Sequence, residues 1–376
     1  MAGIYVHIPF CKTHCSYCDF YSIIDEKKID VVIESICQEL VLRKEYLGGE
    51  LIETIYFGGG TPSYVSTEFL EKILQKIKAN YVVSEIAEIT LEVNPDDIYK
   101  EKAEEYLNLG FNRVSVGIQS YNDLHLKFLN RRHDANQAIN VIEILKKAGF
   151  SNISIDLIYG IPGMTPDEWK KNVEQAIIAD VKHISAYHLT IEKGTELFSQ
   201  LKKGKITLVS DIESEDNYIT LCELLKKNKF EHYEISNFSK PGFKSKHNTS
   251  YWEGKKYVGF GPAAHSFNGL SRQWNVSNTN EYMDGIKKNE KYFIQEKLSK
   301  KNRYNEYILT GLRTNEGVYL SKLRDNFGNK YQAFFLQQIE KHLKNEHLVE
   351  KQKNNWIIPE KKWLVSDGLI ADLCMV

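Results

Sequence analysis

Apolar residues in the first half of the chain follow two alternating rhythms. Short β-rich runs occur at GIYVHI (3–8), LIETIYF (51–57), EITLEV (88–93), RVSVGI (113–118), ISIDLIYG (153–160) and HISAYHL (183–189). Between them the spacing turns helical. Ile29, Val32, Ile33, Ile36, Leu40 and Leu47 predict a helix over about 29–47, and 67–78, a stretch ending at Leu109, 135–148 and 166–179 read the same way. The punctuation agrees. Gly58-Gly59-Gly60 closes the second run, Asn94-Pro95 the third and Ile161-Pro162-Gly163 the fifth; Gly149 ends one helix and Pro166 opens another. Six strand–helix units predict an α/β fold with a parallel sheet wrapped by helices. Right-handed crossovers curl such units into a partial (β/α)6 barrel.

The pattern changes beyond about residue 205. A helix is predicted over 211–228. The stretch 232–267 is rich in Gly and aromatic residues and holds too many turn formers for regular helix. Helical spacing returns from Ser299 through Leu312, over 321–327 and over 331–348. Two strand-like pieces, VEKQ and NWIIP, and a helical turn at 366–373 follow. Three helices and a ribbon predict a smaller α+β, winged-helix-like C-terminal domain. The expected division is a barrel over 1–230, a connecting segment over 231–298 and the C-terminal domain over 299–376.

Composition narrows the class. The 376 residues carry 49 Lys plus Arg against 50 Asp plus Glu, which disfavours a globally basic nucleic-acid binder and an acidic disordered chain. The C-terminal domain is only mildly basic, with 13 Lys plus Arg against 9 Asp plus Glu and no continuous stripe, so phosphate binding has weak support there. No apolar run is long enough for a transmembrane helix, and MAGIYVHIPFC lacks the features of a secretory signal. The expected compartment is the cytoplasm, where the six cysteines stay reduced.

Cys11, Cys15 and Cys18 fall in a C-x3-C-x2-C loop of mostly polar residues, while Cys37, Cys222 and Cys374 are scattered and read as ordinary thiols. Three soft thiolates suggest zinc or an iron–sulfur cluster. A closed zinc site needs a fourth ligand, for which only His14 or His7 is at hand. A 4Fe-4S cube on three cysteines leaves one iron open to a small molecule, and this reading ranks above zinc. Other chemistry-bearing residues collect at successive strand ends, where barrels place function: Gly58 to Pro62, Glu92, Gln119, Asp156 and Tyr187-His188.

The string Y-x-H-I-P-F-C-x3-C-x-Y-C-D-F, followed one strand later by GGGTP, resembles the radical S-adenosylmethionine (SAM) proteins of the oxygen-independent coproporphyrinogen III oxidase-like group. The resemblance covers nearly the whole chain. It implies that Cys11, Cys15 and Cys18 ligate a 4Fe-4S cluster whose fourth iron binds SAM. It further implies that Gly58, Gly59, Gly60 and Thr61 meet the amino-acid end of SAM, that Tyr5 and Tyr17 flank cluster and cofactor, and that Glu92, Gln119, Arg131 and Asp156 bind SAM's polar groups. His247-Asn248-Thr249-Ser250-Tyr251-Trp252 matches the H-N-x-x-Y-W signature of the family's heme-chaperone branch.

On that branch the expected ligand is heme and the expected partners are heme-accepting apoproteins, respiratory ones among them, with transient membrane-protein contact. His247 is the expected axial donor, with Asn248, Tyr251 and Trp252 beside it. Tyr257, Phe260 and Phe267 offer further flat faces, and Lys240, Lys244 and Lys246 offer cations. The rival reading is the anaerobic decarboxylase of porphyrin metabolism. Two departures argue against it: the oxidases' further cysteine, two places after the third, is Phe20 here, and almost nothing precedes Cys11.

Overall fold

The computed structural model describes residues 1–376. Six parallel strands form its centre: β1 (Ala2–Ile8), β2 (Ile52–Gly59), β3 (Val83–Val93), β4 (Arg113–Gln119), β5 (Asn152–Tyr159) and β6 (His183–His188), hydrogen-bonded in chain order. Helices Ile29–Leu42, Thr67–Asn80, Lys100–Leu109, Ala135–Ala148 and Pro166–Ile178 connect them, with an unforeseen short helix, Asp123–Phe128. Local chemistry sets the boundaries. Asp134 with Gln137 and Thr165 with Glu168 form reciprocal capping boxes, and Pro166 takes the first helical position. The first helix ends at Leu42, short of the expected Leu47, because the chain turns before Gly48 and Gly49.

The segment 231–298 differs from expectation. It carries six short strands that belong to the same sheet: β7 (Glu231–Glu234), β8 (Asn237–Ser239), β9 (Lys256–Phe260), β10 (His265–Phe267), β11 (Ser271–Asn275) and β12 (Phe293–Lys297). The spatial order is β12-β11-β10-β9-β1-β2-β3-β4-β5-β6-β8-β7. Thus β9 runs parallel to β1 with Tyr5 opposite Gly259, and β8 closes antiparallel on β6. A regular helix, Lys246–Trp252, sits where turn residues argued against one; Ser245 caps it, accepting from the Asn248 N–H. One apolar core runs from Ala2 to Tyr292 and takes in Val258, Phe260 and Tyr282.

A buried polar knot fastens this return segment. Glu39, fully buried on the first helix, accepts from Arg43 Nη1 (3.1 Å), Asn275 Nδ2 (2.8 Å), the Gly261 N–H (2.9 Å) and the Tyr282 hydroxyl (2.7 Å). Arg43 also donates to the Gly259 carbonyl (2.9 Å).

The C-terminal part has its own core, from Tyr304 to Leu373. Helices Lys300–Leu312, Leu320–Phe327 and Asn329–Leu343 pack with a three-stranded ribbon and a last helix, Ser366–Leu373, in the expected winged-helix outline. It meets the barrel through Arg272–Glu306 (2.9 Å) and through His232. The His232 ring stacks on Phe238, packs edge-on to Trp363 and contacts Glu360 (3.0 Å). No helix is long and apolar enough to cross a membrane.

Removing one partner of a buried ion pair strands the other. Glu39→Ala is therefore expected to destabilise the chain by about 3–5 kcal/mol, and Glu39→Gln by less. Urea unfolding of the two variants beside the unaltered chain checks this; equal midpoints for all three would remove the knot's assigned role.

Candidate functional site

A cavity of about 770 Å³ opens at the C-terminal ends of the central strands. Cys11, Cys15 and Cys18 line it on the loop after β1, all three as free thiols. The loop is pinned by Cys11 N–H to the Ile23 carbonyl (3.1 Å) and by Ser16 N–H to the Leu129 carbonyl (3.1 Å). Burial pushes the Cys18 thiol up to about 11 and raises that of Cys11. Such thiols ionise when a metal takes the proton's place. Arg131 supplies compensating charge, its Nη1 donating to Cys15 Sγ (3.4 Å). Its Nη2 is fixed on Asn94 Oδ1 (2.6 Å) and the Gly117 carbonyl (2.8 Å). The donor set fits a cluster on three thiolates.

Of the two histidines weighed as a fourth ligand, His7 is committed on both ring nitrogens, to the Tyr5 hydroxyl (3.2 Å) and the Tyr21 carbonyl (2.8 Å). His14 lines the cavity, with Nδ1 on the Ser22 hydroxyl (3.2 Å).

Gly59, Gly60 and Thr61 line the same cavity; Gly58 does not. The glycines also have a packing reason. Gly59 has φ +109°, and a Cβ on Gly60 would lie 2.7 Å from the Phe10 carbonyl oxygen. Tyr17, Gln119, Asp156, Tyr187 and His188 also reach the cavity. Gln119, at the end of β4, holds a left-handed φ of 65°.

Glu92 accepts from the Tyr56 hydroxyl (2.7 Å). Burial, reinforced by Asp156 nearby, pushes its carboxyl up to about 7. Asp156 is raised by burial as well. Arg113 was not anticipated. It is 1% exposed, lines the cavity, and its Nε and Nη1 have no hydrogen-bond partner. The only sequence signal was an arginine opening an apolar strand run.

Tyr5 is not among the residues around the cysteines. It faces a second cavity of about 880 Å³ between the sheet extension and the C-terminal domain. The H-N-x-x-Y-W helix is the wall between the two: Asn248 lines the first cavity, and Tyr251 and Trp252 line the second.

His247 lines neither and is 1% exposed. Its Nδ1 meets the Thr54 hydroxyl (2.8 Å) and its Nε2 the Tyr251 hydroxyl (2.8 Å), while its ring stacks 5.0 Å from that of Tyr56. The expectation of an open axial donor at His247 does not match this geometry. The reason is local. The Glu88 carboxylate accepts from the Lys246 (3.1 Å) and His247 (3.0 Å) N–H groups, pins the start of the helix, and His247 packs inward. The other expected heme contacts divide. Tyr257 and Phe267 line the second cavity; Phe260 is fully buried in the core. Lys244 and Lys246 border a separate small recess, and Lys240 lies over the Phe230 ring. The cations on the second cavity are Lys255, Arg272 and Arg303.

A three-cysteine loop and polar strand ends on a partial α/β barrel define the radical SAM class. Residues 5–176 match the family model of the radical SAM superfamily, and residues 298–365 that of the HemN C-terminal domain. The fold superimposes on coproporphyrinogen III oxidase (HemN) from Escherichia coli with a TM-score of 0.86, covering 100% of this chain and 90% of that one at 20% identity. The heme chaperone HemW of Lactococcus lactis is 36% identical over 89% of this chain and 87% of its own length. That of Bacillus subtilis is 33% identical over 89% of each. The chain belongs to the family of the heme chaperone HemW.

Glu92 gives a test with a definite sign. Folded, it keeps its proton up to about pH 7; unfolded, it releases it near 4.5. Folding is therefore penalised progressively as pH rises from about 4.5 to 7, by roughly 2–3 kcal/mol at the top. The stability of Glu92→Gln relative to the unaltered chain, both free of cofactor, is expected to grow by that amount between pH 5 and pH 8. Denaturant melts at the two pH values measure it, and a difference that ignores pH contradicts the assignment.

Proposed function

We propose that this chain binds heme and passes it to acceptor proteins, and that it carries a 4Fe-4S cluster with an exchangeable SAM. One observation carries the heme half. Beside the cysteine-lined cavity lies a second one, walled by Trp252, Tyr257, Phe267 and Tyr307 and bordered by Arg272 and Arg303. A flat, apolar, dianionic macrocycle needs aromatic faces and cations together. The kinship with proteins named heme chaperone, over almost nine tenths of the chain, supports the same reading.

In the first cavity Cys11, Cys15 and Cys18 hold three irons of the cluster, leaving the fourth for SAM. A reduced cluster of this kind supplies one electron to a bound sulfonium. The chain's own residues position and neutralise. Gly59, Gly60 and Thr61 receive the amino-acid end of SAM on backbone that side chains would crowd. Glu92 and Asp156, pressed toward the neutral form by burial, ionise beside a cationic ligand. Gln119 offers an amide to polar groups, Tyr17 a ring beside the cofactor, and Arg131 holds charge against the thiolates.

Phe20, 68% exposed, stands at the lip of both cavities, at the position where the decarboxylase branch has its extra cysteine. The likeness to the oxidase is a likeness of fold.

Anaerobic reconstitution is expected to give about four irons per chain. Cys11→Ala, Cys15→Ala and Cys18→Ala should each lose the cluster by iron and sulfide analysis, while Cys37→Ala, Cys222→Ala and Cys374→Ala keep it. Hemin should titrate to one per chain by its Soret band. Coproporphyrinogen III should survive incubation with reduced protein and SAM; its decarboxylation would overturn the chaperone reading in favour of the oxidase.

A further inference from the structure

The second cavity lacks an obvious iron ligand until its donors are taken in turn. No methionine or cysteine lines it. Its tyrosine hydroxyls are poor donors at neutral pH, because burial raises Tyr251 and Tyr257 further from ionisation. Two histidines line it, His7 and His265. His7 has both ring nitrogens engaged, by the Tyr5 hydroxyl and the Tyr21 carbonyl. His247 is likewise engaged on both sides and lies behind the cavity wall.

His265 differs from both. It opens β10, is exposed, and neither ring nitrogen meets a hydrogen-bond partner within the chain. Its ring is steadied by stacking on Trp274, its cross-strand neighbour, at 6.1 Å. We infer that His265, not His247, is the axial ligand of heme iron, and that heme sits in the cavity between the sheet extension and the C-terminal domain. The inference rests on the proposed heme-binding function and gives it a seat. The ligand bond is a dative one from an imidazole lone pair, so no electron or leaving group has to be supplied. Partial desolvation inside the cavity mouth and the neighbouring Arg272 charge lower the His265 pKa, which keeps that lone pair free at neutral pH.

The cations sort in the same way. Arg272 is occupied by Glu306 (2.9 Å) and lies over the Phe267 ring. Lys255 is shared between Glu53 (3.5 Å) and Glu253 (3.0 Å). Arg303 forms no ion pair within 4 Å, and its buried Nε has no partner. A propionate on Arg303 would tie heme to the C-terminal domain while iron is held by the barrel side. Both halves of the molecule would then grip one ligand.

The test uses the full chain with hemin and, as an iron-free probe, protoporphyrin IX. His265→Ala is expected to weaken hemin binding about tenfold or more and to shift both the Soret band and the spin state seen by paramagnetic resonance. Added imidazole should restore the spectrum. Protoporphyrin IX should bind the variant and the unaltered chain alike, since it has no iron to lose a ligand. His247→Gln, checked for folding by circular dichroism, should keep the unaltered Soret band. An unchanged spectrum and affinity in His265→Ala overturn the axial assignment alone. An unaltered chain that takes up no hemin at all overturns the heme-binding function with it.

Discussion

Strand β1 is paired on both edges, with β2 on one side and β9 on the other, and the second pairing decides where everything after Lys246 lies. An unpaired edge beside a buried core would leave a row of orphaned backbone groups. The chain answers this by returning, after six strand–helix units, to lay β9 along β1. Glu39 and Arg43 then lock the return from behind by bonding to the backbone of Gly259 and Gly261. With β9 fixed, the helix before it is brought against Thr54 and Tyr56 of β2, and the hairpins after it reach out to meet the C-terminal domain. The second cavity is a by-product of that pairing, and the first gains one wall residue, Asn248, from it.

The interior of the barrel is charged, buried and sparsely paired. Glu92 and Asp156 are held toward their neutral forms, and Arg113 has donors left over. A core built for stability alone would bury hydrocarbon there, because an unsatisfied buried polar group costs free energy without return. The arrangement makes sense for a site whose partners arrive with the ligand. A sulfonium and an ammonium would complete the carboxylates; a carboxylate or ribose oxygen would complete the guanidinium.

How much of this was legible in the sequence differed by region, for physical reasons. The six central strands and their helices announce themselves because both sheet faces are covered, which writes continuous apolar runs such as those of β1 and β5. The cysteine loop was equally plain, since three like residues within eight are hard to explain otherwise. The segment 231–298 was not. Its strands are three to five residues long and take their partners from β1 and β6, far away in sequence, so no local period exists to be read. His247 shows the limit at a single side chain. A motif named the residue, but its direction is set by Glu88, more than a hundred positions earlier, whose carboxylate fixes the first turn of the helix. Arg303 was hidden similarly, and His265, one of several histidines near the motif, reads in sequence as an ordinary core residue: the two come together only when the C-terminal domain is set against the sheet extension.

The two-turn helix Lys246–Trp252 puts Asn248 on one chamber, Tyr251 and Trp252 on the other, and His247 between them. This has an evolutionary consequence. A lineage adapting one chamber to a new ligand could not remodel this helix freely, because its first turn serves one chamber and its second the other. Drift would be channelled into walls with a single owner: β10, β11 and the helices Lys300–Leu312 and Leu320–Phe327 on one side, the ends of β3, β4 and β5 on the other. The shared partition would be the last part of the molecule to diverge.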